Sequence, residues 1–173
     1  MEKFNVFSHI AERTAGSIYV GVVGPVRTGK STFIKRFMDL FVMPGITDVY
    51  LKERTRDELP QSGAGRTIST TEPKFVPDEP VEIVLEEATK ARIRLVDCVG
   101  YTVASAKGYM DEEGPRLVRT PWFEHPIPFQ EAAELGTRRV ITEHSTIGLV
   151  VTTDGSISDL PRSEYAEPEG RVI

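Results

Sequence analysis

Cysteine is nearly missing from this chain: Cys98 stands alone among 173 residues, so no disulfide can close within it. A single thiol fits a reducing compartment, and with no histidine near it in sequence Cys98 reads as a small buried residue rather than a nucleophile. Histidine is scarce as well; His9, His125 and His144 have no metal-ligand spacing. No stretch reaches the ~20 apolar residues of a membrane span. The opening residues, MEKFNVFSHIAERTAGS, lack the basic-then-apolar order of a signal peptide, so the expectation is a cytoplasmic protein. Positive charge is not in excess: 21 basic and 26 acidic side chains leave a net charge of −5, which argues against nucleic acid as the main partner. Repeats and low-complexity segments are absent too. What remains is the composition of a globular protein, 39% hydrophobic and 27% charged, long enough to bury ~70% of its unfolded surface in one domain.

Residues 17–24, SIYVGVVG, are β-branched and apolar without alternation, as in a strand buried on both faces. In KSTFIKRFMDLFVM, Phe33, Ile34, Phe37, Met38 and Phe41 recur at helical spacing, and Pro44 and Gly45 stop the helix. Residues 45–74 show no period and predict a long functional loop. Alternation through Val81, Ile83 and Leu85, then Ile93, Leu95 and Val96, predicts two antiparallel strands with a turn near Thr89 and Lys90. Prolines and glycines keep residues 101–128 irregular, with Trp122, Phe123 and Phe129 in a packed loop. FQEAAELGTRRVITEHS predicts a helix with Ala132, Ala133, Val140 and Ile141 buried, and TIGLVVTTDG another apolar strand. The order predicts an α/β fold with a mostly parallel sheet and one antiparallel strand. The last strand would form an uncovered apolar edge, so the expectation is the front part of a longer protein, incomplete at its C-terminus.

Gly24-Pro-Val-Arg-Thr-Gly29-Lys30-Ser31 satisfies G-x-x-x-x-G-K-[ST] with a strand before it and a helix after. In such a loop successive amides and the positive helix end converge on phosphate oxygens. Lys30 reaches the terminal phosphates and Ser31 ligates Mg²⁺. Gly24, Arg27, Thr28, Gly29, Lys30, Ser31 and Thr32 are therefore the candidate binding segment, although Pro25 contributes no N–H. Asp97, at the end of the strand RIRLVD, can hold Mg²⁺ through its water shell, and Gly100 lets the backbone approach a terminal phosphate. Thr70 and Thr71 lie in the long loop; one of them can offer a hydroxyl to Mg²⁺ and sense the triphosphate, and the sequence does not choose between them. Arg27 and Arg66 either contact phosphate, in this or a neighbouring subunit, or stay on the surface.

GVVGPVRTGKSTFIKRFM, TISTTEPKFVP, IRLVDCVGYTV, TPWFEHPIPFQEAAELGTRRVI and EHSTIGLVVTTDGSI together resemble the stage IV sporulation protein A family. These are spore-coat morphogenetic ATPases within the translation-factor-like class of P-loop NTPases. The resemblance implies a GTPase-like three-layer fold, with residues 1–173 as a partial N-terminal domain and the family's middle and C-terminal regions absent. It implies ATP and Mg²⁺ as cofactors, and slow hydrolysis that drives polymerisation into the basement layer of the spore coat. It places the protein in the mother cell at the forespore surface. Its implied partners are further copies of itself, other coat proteins and a small amphipathic membrane-anchoring peptide met through the absent regions. The family's phosphate-loop lysine, sensor threonines and Walker B aspartate fall on Lys30, Thr70, Thr71 and Asp97. Two departures stand out. Tyr101 occupies the position of the GTPases' water-orienting glutamine, and the guanine-reading N/T-K-x-D motif would lie beyond Ile173, so ATP rather than GTP rests on the resemblance alone. A GTPase switch, and a nucleotide-binding structural module without turnover, are the alternatives.

Overall fold

The computed structural model describes residues 14–60, 72–84, 90–112, 114–156 and 160–173. Strand β1 (Ser17–Val23) leads through a glycine loop into helix α1 (Lys30–Phe37), a π-helical turn at Met38–Val42, a 3-10 turn at Met43–Gly45 and helix α2 (Val49–Asp57). Strands β2 (Lys74–Val84) and β3 (Lys90–Asp97) follow. Next come the two-residue strands β4 (Met110–Asp111), β5 (Gly114–Pro115), β6 (Leu117–Val118) and β7 (Ile127–Pro128). Helix α3 (Phe129–Thr142), strand β8 (Ile147–Val150), a 3-10 turn at Arg162–Tyr165 and helix α4 (Ala166–Gly170) follow among the described residues.

The main sheet has the order β2-β3-β1-β8. β1 runs parallel to β3, with Tyr19 opposite Arg94 and Val22 opposite Asp97, and parallel to β8. β2 is antiparallel to β3, and its register shifts between Val76 and Val81, where Pro77 and Pro80 cannot donate to the ladder. The predicted α/β class, with a mostly parallel sheet and one antiparallel strand, is what these strands form.

Successive strand residues face opposite sides. Val22, Ile93 and Leu95 join Ile34 of α1 and Met38 of the π-helical turn, whereas Val23 and Val96 join Cys98 and, from α3, Val140. Helices thus cover both faces, each fully buried aliphatic side chain contributing ~1.5–3 kcal/mol. A third cluster joins Val26 and Val99 to Phe129, Ala132, Ala133, Leu160 and Tyr165, which packs the last described segment against the glycine loop.

Three local expectations need correction. Residues 45–74 are not all loop, because α2 forms there, with the Asp48 carboxylate accepting from the Leu51 amide at 2.8 Å. Phe41 is exposed rather than buried: the π-helical turn rotates the α1 pattern so that Val42 turns inward. Ile141 is half exposed, and Thr137 shares the buried stripe of α3 with Ala132, Ala133 and Val140.

Candidate functional site

β1 delivers the chain to Gly24 at the carboxyl end of the sheet. There φ is 145°, and a Cβ would lie 2.2 Å from the Val151 carbonyl oxygen, so no side chain fits. The loop turns through left-handed conformations at Arg27 (φ 65°) and Gly29 (φ 92°), and α1 begins with no side-chain cap on its first amides. An uncapped helix start with no acidic residue in its first turn favours an anion. Val26 fastens the loop inside, its N–H donating to the Tyr101 carbonyl at 2.8 Å.

Lys30 is buried, and its Nζ donates to the Pro25 carbonyl at 2.7 Å; Thr28 Oγ1 donates to the same oxygen at 3.0 Å. Burial holds the Lys30 pKa below the ordinary lysine value, against the pull of Cys98 and Asp97. An ammonium taken from water with a carbonyl as its hydrogen-bond acceptor gains strongly from an anion placed against it.

Asp97, at the end of β3, is also buried. Ser31 Oγ donates to its Oδ2 at 2.6 Å, while Oδ1 has no hydrogen-bond partner. Burial raises the Asp97 pKa, opposed by the Ser31 hydrogen bond and then by Lys30 and Lys74. A buried carboxylate with one free oxygen beside a hydroxyl fits a hard divalent cation that keeps several waters. Among the described residues no group of three or more His, Cys, Asp or Glu side chains could hold a metal by itself.

Gly100 closes the far side with φ 89°; a Cβ there would lie 2.2 Å from the Gly24 carbonyl oxygen and 2.7 Å from Lys30 Nζ. Its amide donates to Thr137 Oγ1 at 3.2 Å.

A family model described as the ATPase domain of stage IV sporulation protein A matches residues 1–173. The chain belongs to the stage IV sporulation protein A family. It is 64% identical over 173 residues to the stage IV sporulation protein A of Bacillus anthracis and 63% identical to that of Bacillus subtilis (strain 168). Each alignment covers all of this chain and 35% of the relative. The protein of that name from Clostridioides difficile (strain 630) is 54% identical over 169 residues, 98% of this chain and 34% of its own length. The chain therefore spans about a third of the curated relatives it matches. No solved structure matches it.

Within this family member the structure brings together Gly24, Arg27, Thr28, Gly29, Lys30, Ser31, Asp97 and Gly100. Thr32 lies one residue further along the first turn of α1 and is exposed. Thr70, Thr71 and Arg66 lie outside the described residues. Cys98 is buried, which raises its pKa, as expected of an inert core thiol. Tyr101 is buried too, its ring 4.5 Å from the Arg171 guanidinium, which Glu134 holds at 2.7 Å. Sequence reasoning missed Thr137; the available signal was a hydroxyl on the buried stripe of a predicted helix, four residues after Ala133. Among the described residues no helix is long and apolar enough to cross a membrane.

Proposed function

We propose that this chain is a P-loop NTPase domain that binds ATP with Mg²⁺ and hydrolyses it slowly. The buried Lys30 ammonium, held at the open start of α1 beside the Ser31–Asp97 pair, is the observation that carries this reading. The loop amides between residues 24 and 31, other than at Pro25, which has no N–H, and Val26, whose N–H is held by the Tyr101 carbonyl, grip the polyphosphate together with Lys30. Ser31 offers its hydroxyl to the cation, and Asp97 holds it from the side, its free Oδ1 and buried charge satisfied in the process. Mg²⁺, when bound, offsets phosphate charge at the bond that breaks. Arg27, Thr28 and Thr32 border the phosphates, and Thr70 or Thr71 senses the terminal one. Tyr101 stacks on Arg171 and is not an amide, so the position after D-x-x-G offers no glutamine to orient water, and turnover is slow.

The family name supports a role in sporulation, and we propose a wider role that goes beyond it. Hydrolysis drives polymerisation of a sporulation protein into the basement layer of the spore coat, on the forespore surface in the mother cell. Contacts with other coat proteins and with a membrane-anchoring peptide belong to regions of the relatives that this chain does not cover.

Phosphate release by the intact protein, offered ATP and GTP in competition with Mg²⁺, tests the proposal. Slow release from ATP is expected, lost in Asp97→Asn. Preference for GTP would make it a GTPase switch, and binding without release would make it a structural nucleotide module.

A further inference from the structure

The D-x-x-G pattern lets the backbone at Gly100 approach a terminal phosphate, but in this structure the Gly100 amide is already engaged. It points to Thr137 Oγ1, 3.2 Å away and 37 positions later in the chain, in buried surroundings. A main-chain N–H is a single donor. A hydroxyl on one side and a phosphate oxygen on the other must compete for it.

Thr137 sits where an apolar residue would be expected. It is fully buried on the inner stripe of α3, between Ala133 and Val140, both also fully buried. Valine has nearly the same shape, and a hydroxyl is costly there unless it is bonded. The hydroxyl bonds the Cys98 side chain and accepts from the amide of Gly100, the residue whose backbone is pressed against Gly24 and Lys30. Helix α3 thereby reaches the phosphate site through the Thr137 hydroxyl.

We propose that Thr137 is a positioning residue that holds the Gly100 amide in its resting arrangement and so sets how strongly the site prefers a nucleoside triphosphate to a diphosphate. This rests on the nucleotide-binding reading of the site. A triphosphate takes the amide from Thr137 and incurs the loss of that bond. A diphosphate, lacking the terminal group, leaves the bond in place.

Calorimetric Kd values for ADP and a non-hydrolysable ATP analogue, measured with Mg²⁺ on the intact protein, provide the test. Thr137→Val should tighten the analogue about 2- to 10-fold, the size of one neutral hydrogen bond, and leave ADP nearly unchanged. Thr137→Ser, which keeps the hydroxyl, should restore the wild-type ratio. Val140→Ala perturbs the same helix without touching the bond and should leave the ratio alone. An unmoved ratio in Thr137→Val, equal tightening of both nucleotides, or the same shift in Val140→Ala overturns the proposal. If the valine variant does not fold, Thr137→Ala is read against Thr137→Ser by the same criteria. A wild type that binds neither nucleotide removes the nucleotide reading itself; a wild type that binds both, with a ratio indifferent to residue 137, removes only the role of Thr137.

Discussion

Lys30 and Lys90 carry the same group into opposite surroundings. Lys90 is exposed at the start of β3 and reaches Glu82 on the neighbouring strand at 2.7 Å. That hydrogen bond raises its pKa. Lys30 is buried against a carbonyl, and desolvation lowers its pKa. Two serine–aspartate pairs repeat the contrast: Ser31 and Ser156 each donate to an aspartate at 2.6 Å, one part-buried and one exposed. Ser156 lowers the Asp154 pKa, whereas burial raises that of Asp97. At matched distances, water decides what a contact is for. The exposed pairs are complete in themselves and add little to stability. The buried groups are under-compensated, and that deficit is what a phosphate and a cation can fill.

The contrast breaks most readily at the lysines. Lys30→Ala should weaken triphosphate binding by tenfold to more than a hundredfold, since charge-assisted bonds worth ~1.5–3 kcal/mol are lost. Lys90→Ala should leave that affinity unchanged. Titration calorimetry on both variants decides it, and equal losses would mean that burial is not what makes Lys30 a ligand group.

The serines give a smaller effect, read without any ligand. Ser31→Ala removes the one hydrogen bond on the buried Asp97 carboxylate and should cost ~1–3 kcal/mol in urea unfolding. Ser156→Ala, with the same donor–acceptor distance in water, should leave the unfolding midpoint where it was.

The deficit at the site was legible in advance only where chemistry and local geometry coincide. Glycine spacing, a buried strand before it and a helix after it place Gly24, Gly29, Lys30 and Ser31, because backbone conformation there is dictated locally. Asp97 follows from an apolar strand ending in an acid. Helix α2 escaped because Val49 and Tyr50 are exposed and Thr55 is its buried residue, so no apolar period marks it; only the Asp48 cap did. The outward turn of Phe41 depends on a π-helical turn that helical spacing cannot show. Thr137 escaped because its partner Gly100 offers a main-chain amide, which every residue type except proline also offers; the pairing exists only once α3 lies on the sheet.

Proton affinity gives the finest measure of the same contrast. Lysine titrates at about 10.4 in an unfolded chain. Between the lowered Lys30 value and that reference, the unfolded chain holds a proton that the folded chain has released, so the Lys30 contribution to stability rises with pH. Lys90 has the opposite sign: its favourable contribution is complete below the reference value and fades as pH climbs through its raised folded value. Carbon-13 titration of the lysine Cε resonances in the unliganded protein should therefore show Lys30 deprotonating first and Lys90 after the bulk of the lysines. Adding the ATP analogue should move the Lys30 midpoint upward, because an anion beside the ammonium favours its charged form, and should leave Lys90 in place. A Lys30 midpoint already at or above the bulk value without nucleotide would mean that its burial is fully compensated, and the drive to recruit a polyphosphate would then have to come from the loop amides alone.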